Sequence, residues 1–278
     1  MKEVVYSADS QLHSPGSFAA GIGADARVSP PVAWQLFLRR LQSEHRRSLL
    51  GYLWLLLPPL ATTGAWVALN AARVLTVGRT DLPYPLYVLT GTVLWQLFVD
   101  ALNAPLQRLT ASRAILTKSR IPHEAFLLAG VLDVLFNFAV RLLVLVPVLA
   151  WFGVRPAASM LLAPLGVGAL LLLGFALGLL LAPVGLLYPD VPRGLTLATG
   201  IWFFLTPVLY PLPVTGGASV LRVANPVSPL LTTARGWLTG GAAAPAPGFV
   251  AVVAASLAAL AVGWSCYRLA RPHLVSRL

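Results

Sequence analysis

The sequence predicts an all-α integral membrane protein. It has six transmembrane helices, an N-terminal amphipathic helix along the membrane interface, and re-entrant outer helices between spans five and six. Three observations carry this. Of 278 residues, 58% are hydrophobic and only 10% charged, whereas soluble domains are roughly 45–50% apolar and about 25% charged. The apolar residues form continuous runs, not the short alternating segments of a membrane barrel. The basic residues, 20 against 9 acidic, fall mostly in alternate loops. With a mean hydropathy of +0.79, disorder is excluded as well. The net charge of +11 reads as membrane sidedness, and no nucleic-acid partner is expected.

Residues 1–31 are rich in Ser, Gly and Ala, end at Pro30-Pro31 and lack the apolar core of a secretory signal. They read as a mobile cytoplasmic tail. Residues 32–47 change pattern: Ala33, Trp34, Phe37, Leu38 and Leu41 share one side at helical spacing, and Gln35, Arg39, Arg40, Ser43, Arg46 and Arg47 the other. Such a helix lies along the headgroups, either as an anchor to anionic lipid or also as a docking face for a cytoplasmic partner.

A helix needs about 20 mostly apolar residues to cross the hydrocarbon. Six stretches qualify, at about 48–72, 83–107, 125–151, 159–182, 194–212 and 248–268. With the N-terminus inside, fourteen Lys and Arg fall on the cytoplasmic side and five on the other, which sets both termini in the cytoplasm. Residues 270–278 are then a cytoplasmic C-terminus. Segment 213–245 is too apolar for an exposed loop and too broken by Pro and Gly for one straight helix. Short helices dipping into the outer leaflet fit it if their backbone is shielded by protein; an ordinary surface loop is the alternative.

The chemistry is sparse. Cys266 is the single cysteine, His13, His45, His123 and His273 are scattered, and no P-loop sequence occurs, so no metal or cofactor is expected in this chain. Asp133, Asn137 and Arg141 repeat every four residues and form one polar stripe on the third span. Charges at bilayer depth are costly and rarely face lipid. The stripe reads as a packing clamp, with Asn137 or a neighbouring helix supplying partners, or as a contact for a phosphate-bearing lipid through Arg141. Pro58-Pro59 in the first span and Pro207 with Pro211 in the fifth predict kinks that could gate a passage.

Several segments together carry a resemblance. Arg47-Ser-Leu-Leu-Gly-Tyr-Leu-Trp-Leu-Leu-Leu-Pro-Pro-Leu60, Ile115-Leu-Thr-Lys-Ser-Arg-Ile-Pro-His-Glu124, Tyr188-Pro-Asp-Val191 and Phe203-Phe-Leu-Thr-Pro-Val-Leu-Tyr-Pro211 occur in order. With Asn225-Pro226 and Arg235-Gly236, they resemble the membrane (permease) subunits of the ABC-type polysaccharide exporters, which move O-antigens, teichoic acids and capsular glycans. The match extends from about Arg39 to Arg268. Pro189 stands where the family usually has an arginine, and Arg193 lies one turn on to take that role.

The resemblance implies the ABC exporter permease fold in the bacterial cytoplasmic (inner) membrane. It also implies a homodimer with the pore at its interface, and two copies of a separate ATPase subunit that holds ATP and magnesium. The cargo it implies is a lipid-linked glycan. It makes the segment 112–124, with Arg113, Lys118, Ser119, Arg120, Pro122, His123 and Glu124, the contact for the ATPase; a solvated positive-inside loop is the bland reading. It places Tyr52 and Trp54 of the first span and Trp202, Phe203, Phe204 and Tyr210 of the fifth along the channel, where aromatic faces stack on sugar rings. Headgroup belts and plain packing compete for the same residues. A related ABC permease for a small lipophilic drug or natural product is the alternative function. A membrane enzyme is disfavoured, because Asp100, Asp133 and Asp190 are separated and no paired acids or histidines occur.

Overall fold

A computed structural model describes residues 15–47, 51–74, 78, 80–112, 121–211 and 224–275. Every regular element among them is helical. α1 is Pro15–Arg47, and a 3-10 turn, Gly51–Leu55, leads to α2, Leu57–Ala71. α3 is Tyr84–Ala111, α4 His123–Trp151 and α5 Ala163–Leu187, the last entered through a 3-10 turn at Ala158–Leu162. α6 is Asp190–Leu205, α7 Val227–Leu238 and α8 Phe249–Val275. Four segments are long and apolar enough to cross a membrane: Tyr84–Ala111, His123–Trp151, Ala158–Leu187 and Phe249–Ala270.

α3 is the centre of the bundle. It packs against α5 and α4, with α2 on its flank, while α8 lies along the far side of α5. Phe98, Leu94, Leu97 and Leu102 of α3 and Leu170 of α5 are fully buried together. The two helices approach closely because α5 presents glycine there. A Cβ at Gly178 would strike the Leu102 carbonyl, and one at Gly174 would lie 2.6 Å from the Phe98 carbonyl. In a membrane, such small-residue contacts let backbones pack where no hydrophobic drive exists between helices.

Several expectations change in detail. α1 begins at Pro15, so the region expected to be a tail through residue 31 is helical from there and contains Pro30 and Pro31. Within it the Asp25 carbonyl accepts from Ser29 Oγ at 2.6 Å, and the Asp25 carboxylate pairs with Arg268 of α8 at 2.5 Å. Pro58 and Pro59 do not kink a long first helix; they occupy its first turn, where the missing N–H costs nothing. Likewise Pro207 follows the end of α6 at Leu205 and stops it instead of bending it. In the segment 213–245, α7 is the described helix, and residues 212–223 lie outside the description.

Candidate functional site

The start of α4 lies beside Asp25 of α1 and Arg268 of α8 at one end of the bundle. Residues 80–83, 206–211 and 224–248 lie at the other. The chemically distinctive groups fall into three tiers along that axis.

At the terminal end, Arg268 of α8 donates from Nε to Glu124 Oε1 at 2.9 Å and from Nη2 to Asp25 at 2.5 Å, with its guanidinium 4.9 Å from the Trp264 ring centroid. Beside it, His123 Nδ1 and Tyr267 Oη are 2.7 Å apart. His123 is buried and Glu124 half-buried, so these two residues of the expected ATPase contact are engaged within the chain. Pro122 caps α4. Arg113, Lys118, Ser119 and Arg120 lie outside the described residues. Of the amphipathic helix, Phe37 is buried against Phe136 of α4, while Trp34 and Arg39 are exposed. Arg46 and Arg47 close α1, with side chains outside the description.

In the middle tier the polar stripe of α4 finds partners on other helices. Asp133 accepts from Arg108 of α3 and, at 2.8 Å, from Arg40 of α1. Arg141 donates from Nη1 to Asp100 of α3 at 2.7 Å, and from Nε to the Leu55 carbonyl at 3.4 Å. Both ion pairs are largely withdrawn from solvent, and Asn137 lies half-buried between them. Removing one member would therefore leave a buried charge alone. Arg108 and Asp100 carry no signal as a pair in the sequence; only the cost of the stripe itself shows that partners must exist.

The aromatic tier is divided. Trp202 packs edge-on against Phe98 at 5.3 Å between centroids, and Phe203 against Trp95 at 5.8 Å, both on α3. Phe204 is 52% exposed and neighbours Trp66 of α2. Tyr210 donates back to the Phe204 carbonyl. Tyr52 sits elsewhere, its hydroxyl 3.2 Å from the Leu41 carbonyl and its ring against Phe136, and Trp54 is 59% exposed. The structure thus joins Trp202, Phe203, Phe204 and Tyr210, and separates Tyr52 from them. Trp66, Trp95 and Phe98 extend this aromatic group beyond the residues the sequence singled out.

Two residues hold the break after α6. Asn225 accepts Trp202 Nε1–H and the Val227 N–H, each at 3.0 Å, and donates to the Leu205 carbonyl at 3.1 Å and Thr206 Oγ1 at 2.8 Å. Arg235 of α7 donates to the carbonyls of Pro207 and Val208 at 2.8 and 3.1 Å, with its guanidinium 3.8 Å from the Tyr87 ring centroid. Gly91 makes room: a Cβ there would collide with Arg235 Nη2. Both residues belong to the motifs Asn225-Pro226 and Arg235-Gly236, and polar side chains in an otherwise apolar run were the available signal. At Asp190 the acid is met by Arg193 at 3.3 Å on an exposed face.

The chain is 28% identical over 202 residues to the O-antigen export system permease protein RfbA of Myxococcus xanthus, covering 71% of this chain and 76% of that protein. It is 26% identical over 172 residues to an O-antigen export system permease protein RfbA of Klebsiella pneumoniae, of which it spans 65%. It is 22% identical over 178 residues to the polysialic acid transport protein KpsM of Escherichia coli, spanning 69% of it. No protein-family model matches the chain. By sequence, the chain is a homologue of the permease subunits of ABC-type polysaccharide exporters.

Proposed function

We propose that this chain is the transmembrane subunit of an ATP-driven exporter that moves a lipid-linked polysaccharide across the bacterial cytoplasmic membrane. Two copies enclose the pore along a shared two-fold axis. Two copies of a separate ATPase subunit, holding ATP and magnesium, dock on the segment 112–124. The likeness to O-antigen export permeases over 71% of the chain carries the reading.

Six crossings are consistent with the helix lengths. α2 contributes about 22 Å and its preceding 3-10 turn about 10 Å, together about the 30 Å of a hydrocarbon core. α6 contributes about 24 Å before the chain continues through residues 206–211. Both termini are then cytoplasmic, and α7 with its flanking segment is the outer re-entrant element. Leu60 and Leu69 of α2 and Leu197, Ile201 and Phe204 of α6 are exposed, which suits helices that meet a second copy or line a passage. Trp54 and Phe204 are the exposed aromatic surfaces assigned to the passage. The ion pairs of Asp133 and Arg141 act in this scheme as the clamp holding α1, α3 and α4 as one body.

Affinity purification of the tagged full chain, co-expressed with an ATPase subunit of this exporter class, tests the proposal. A stable complex of two chains with two ATPase subunits is expected; absence of any retained ATPase contradicts it.

A further inference from the structure

At the end of the bundle away from the termini lies a cavity of about 560 Å³, within the range of small-molecule sites. Tyr87, Arg235, Ser228 and Thr232 of α7, Asp81 and Pro207 are among the residues that line it. It is separate from the aromatic group of Phe98, Trp95 and Trp202, none of which lines it.

The donors in this cavity are not all used. Arg235 is 5% exposed and Ser228 1% exposed, and neither Arg235 Nε nor Ser228 Oγ has a protein partner. Buried polar groups are nearly always paired, so two orphans among the residues that line it mark a place where a polar guest completes the bonding. Thr232 Oγ1 donates to the Ser228 carbonyl at 2.8 Å, leaving its own lone pairs as acceptors. Asp81, exposed at the rim, is acceptor-only when ionised. Pro207, Pro211, Pro229 and Pro247 add apolar ring surface.

A guest must therefore both donate and accept, and must also present an apolar face. A sugar ring does all three through its hydroxyls and its C–H surface. Phosphate matches less well: the Asp81 carboxylate shares the cavity, and Arg235 already spends Nη2 on two carbonyls. An acyl chain would leave the polar lining unpaired. We infer that this cavity is a saccharide subsite, sized for one or two neutral sugar rings, at the far mouth of the protein. The assignment rests on the polysaccharide-export reading and adds to it a defined contact for the glycan outside the aromatic group.

The test uses the full chain in lipid nanodiscs, with methyl α-mannoside, methyl β-galactoside and methyl N-acetyl-β-glucosaminide as probes in saturation-transfer difference NMR. Inorganic phosphate, followed by phosphorus line width, is the second arm. Gly236 lines the cavity, and a Cβ built there meets nothing within 4 Å, so Gly236→Phe adds bulk without a backbone clash. Asp81→Ala removes the exposed acceptor and cannot disturb a core. At least one glycoside is expected to show transfer with the wild-type chain, and to bind about tenfold more weakly in Asp81→Ala and in folded Gly236→Phe. No transfer in wild type, equal transfer in Asp81→Ala, or broadening by phosphate alone overturns the subsite. Failure of the export reading is seen separately, as undiminished surface polysaccharide in cells lacking this chain.

Discussion

Arg40 of α1 and Asp133 of α4 are joined at 2.8 Å, so the amphipathic helix is fastened to a residue about 15 Å inside a membrane-spanning segment. Arg108 of α3 meets the same carboxylate, and one acid thus ties three helices together. Asp133→Asn is expected to destabilise the protein by about 3 kcal/mol, because Arg108 is left buried without its counter-charge. A double change, Asp133→Leu with Arg108→Leu, should recover most of that loss. Thermal unfolding in detergent, followed by Trp fluorescence, reads both.

A second prediction separates the clamp from a phosphate contact at Arg141. Its guanidinium serves Asp100 and the Leu55 carbonyl together, a geometry that an ammonium on a different stem cannot reproduce. Arg141→Lys should cost about 1 kcal/mol of stability. A double-mutant cycle with Asp100→Asn should show coupling between the two positions. Additive effects would mean that the pair does not act as a unit.

What the sequence makes legible differs from residue to residue. The long spans are plain because a bilayer demands apolar runs, and α3, α4, α5 and α8 fall where charge-poor stretches predict them. The cost of a charge at depth identified Asp133 and Arg141 as needing partners. Which partners was hidden, because Arg40, Arg108 and Asp100 reach them only through helix packing. The prolines misled for a local reason: Pro58-Pro59 looks the same in sequence whether it kinks a helix or begins one. The aromatic residues look like one set in sequence, yet Tyr52 packs against Phe136 of α4 and Trp202 against Phe98 of α3.

The contact between α5 and α3 gives a third prediction. Gly178→Val places a branched side chain against the Leu102 backbone carbonyl, which cannot move without shifting α3. Overpacking of this kind costs about 1–3 kcal/mol or more. Gly168→Val, at a glycine whose Cβ would meet nothing within 4 Å, is the matched control and should be nearly neutral. Folded yield after size-exclusion chromatography distinguishes them.

The terminal cluster supplies a fourth. Arg268→Ala deprives both Glu124 and Asp25 of their shared partner and releases the start of α1 from α8. Limited proteolysis should then cut between residues 15 and 30 markedly faster than in the wild-type chain. Glu124→Gln keeps a hydrogen-bond acceptor and leaves Asp25 paired, so its cleavage rate should stay close to wild type. Equal protection in Arg268→Ala would show that the cluster does not hold α1.

ATP hydrolysis by the complex of this chain with its ATPase subunit, reconstituted in nanodiscs and measured with and without lipid-linked polysaccharide, tests the central claim most directly. Stimulation by the glycan lipid and none by small lipophilic drugs is expected. Stimulation by drugs with indifference to the glycan lipid would contradict it.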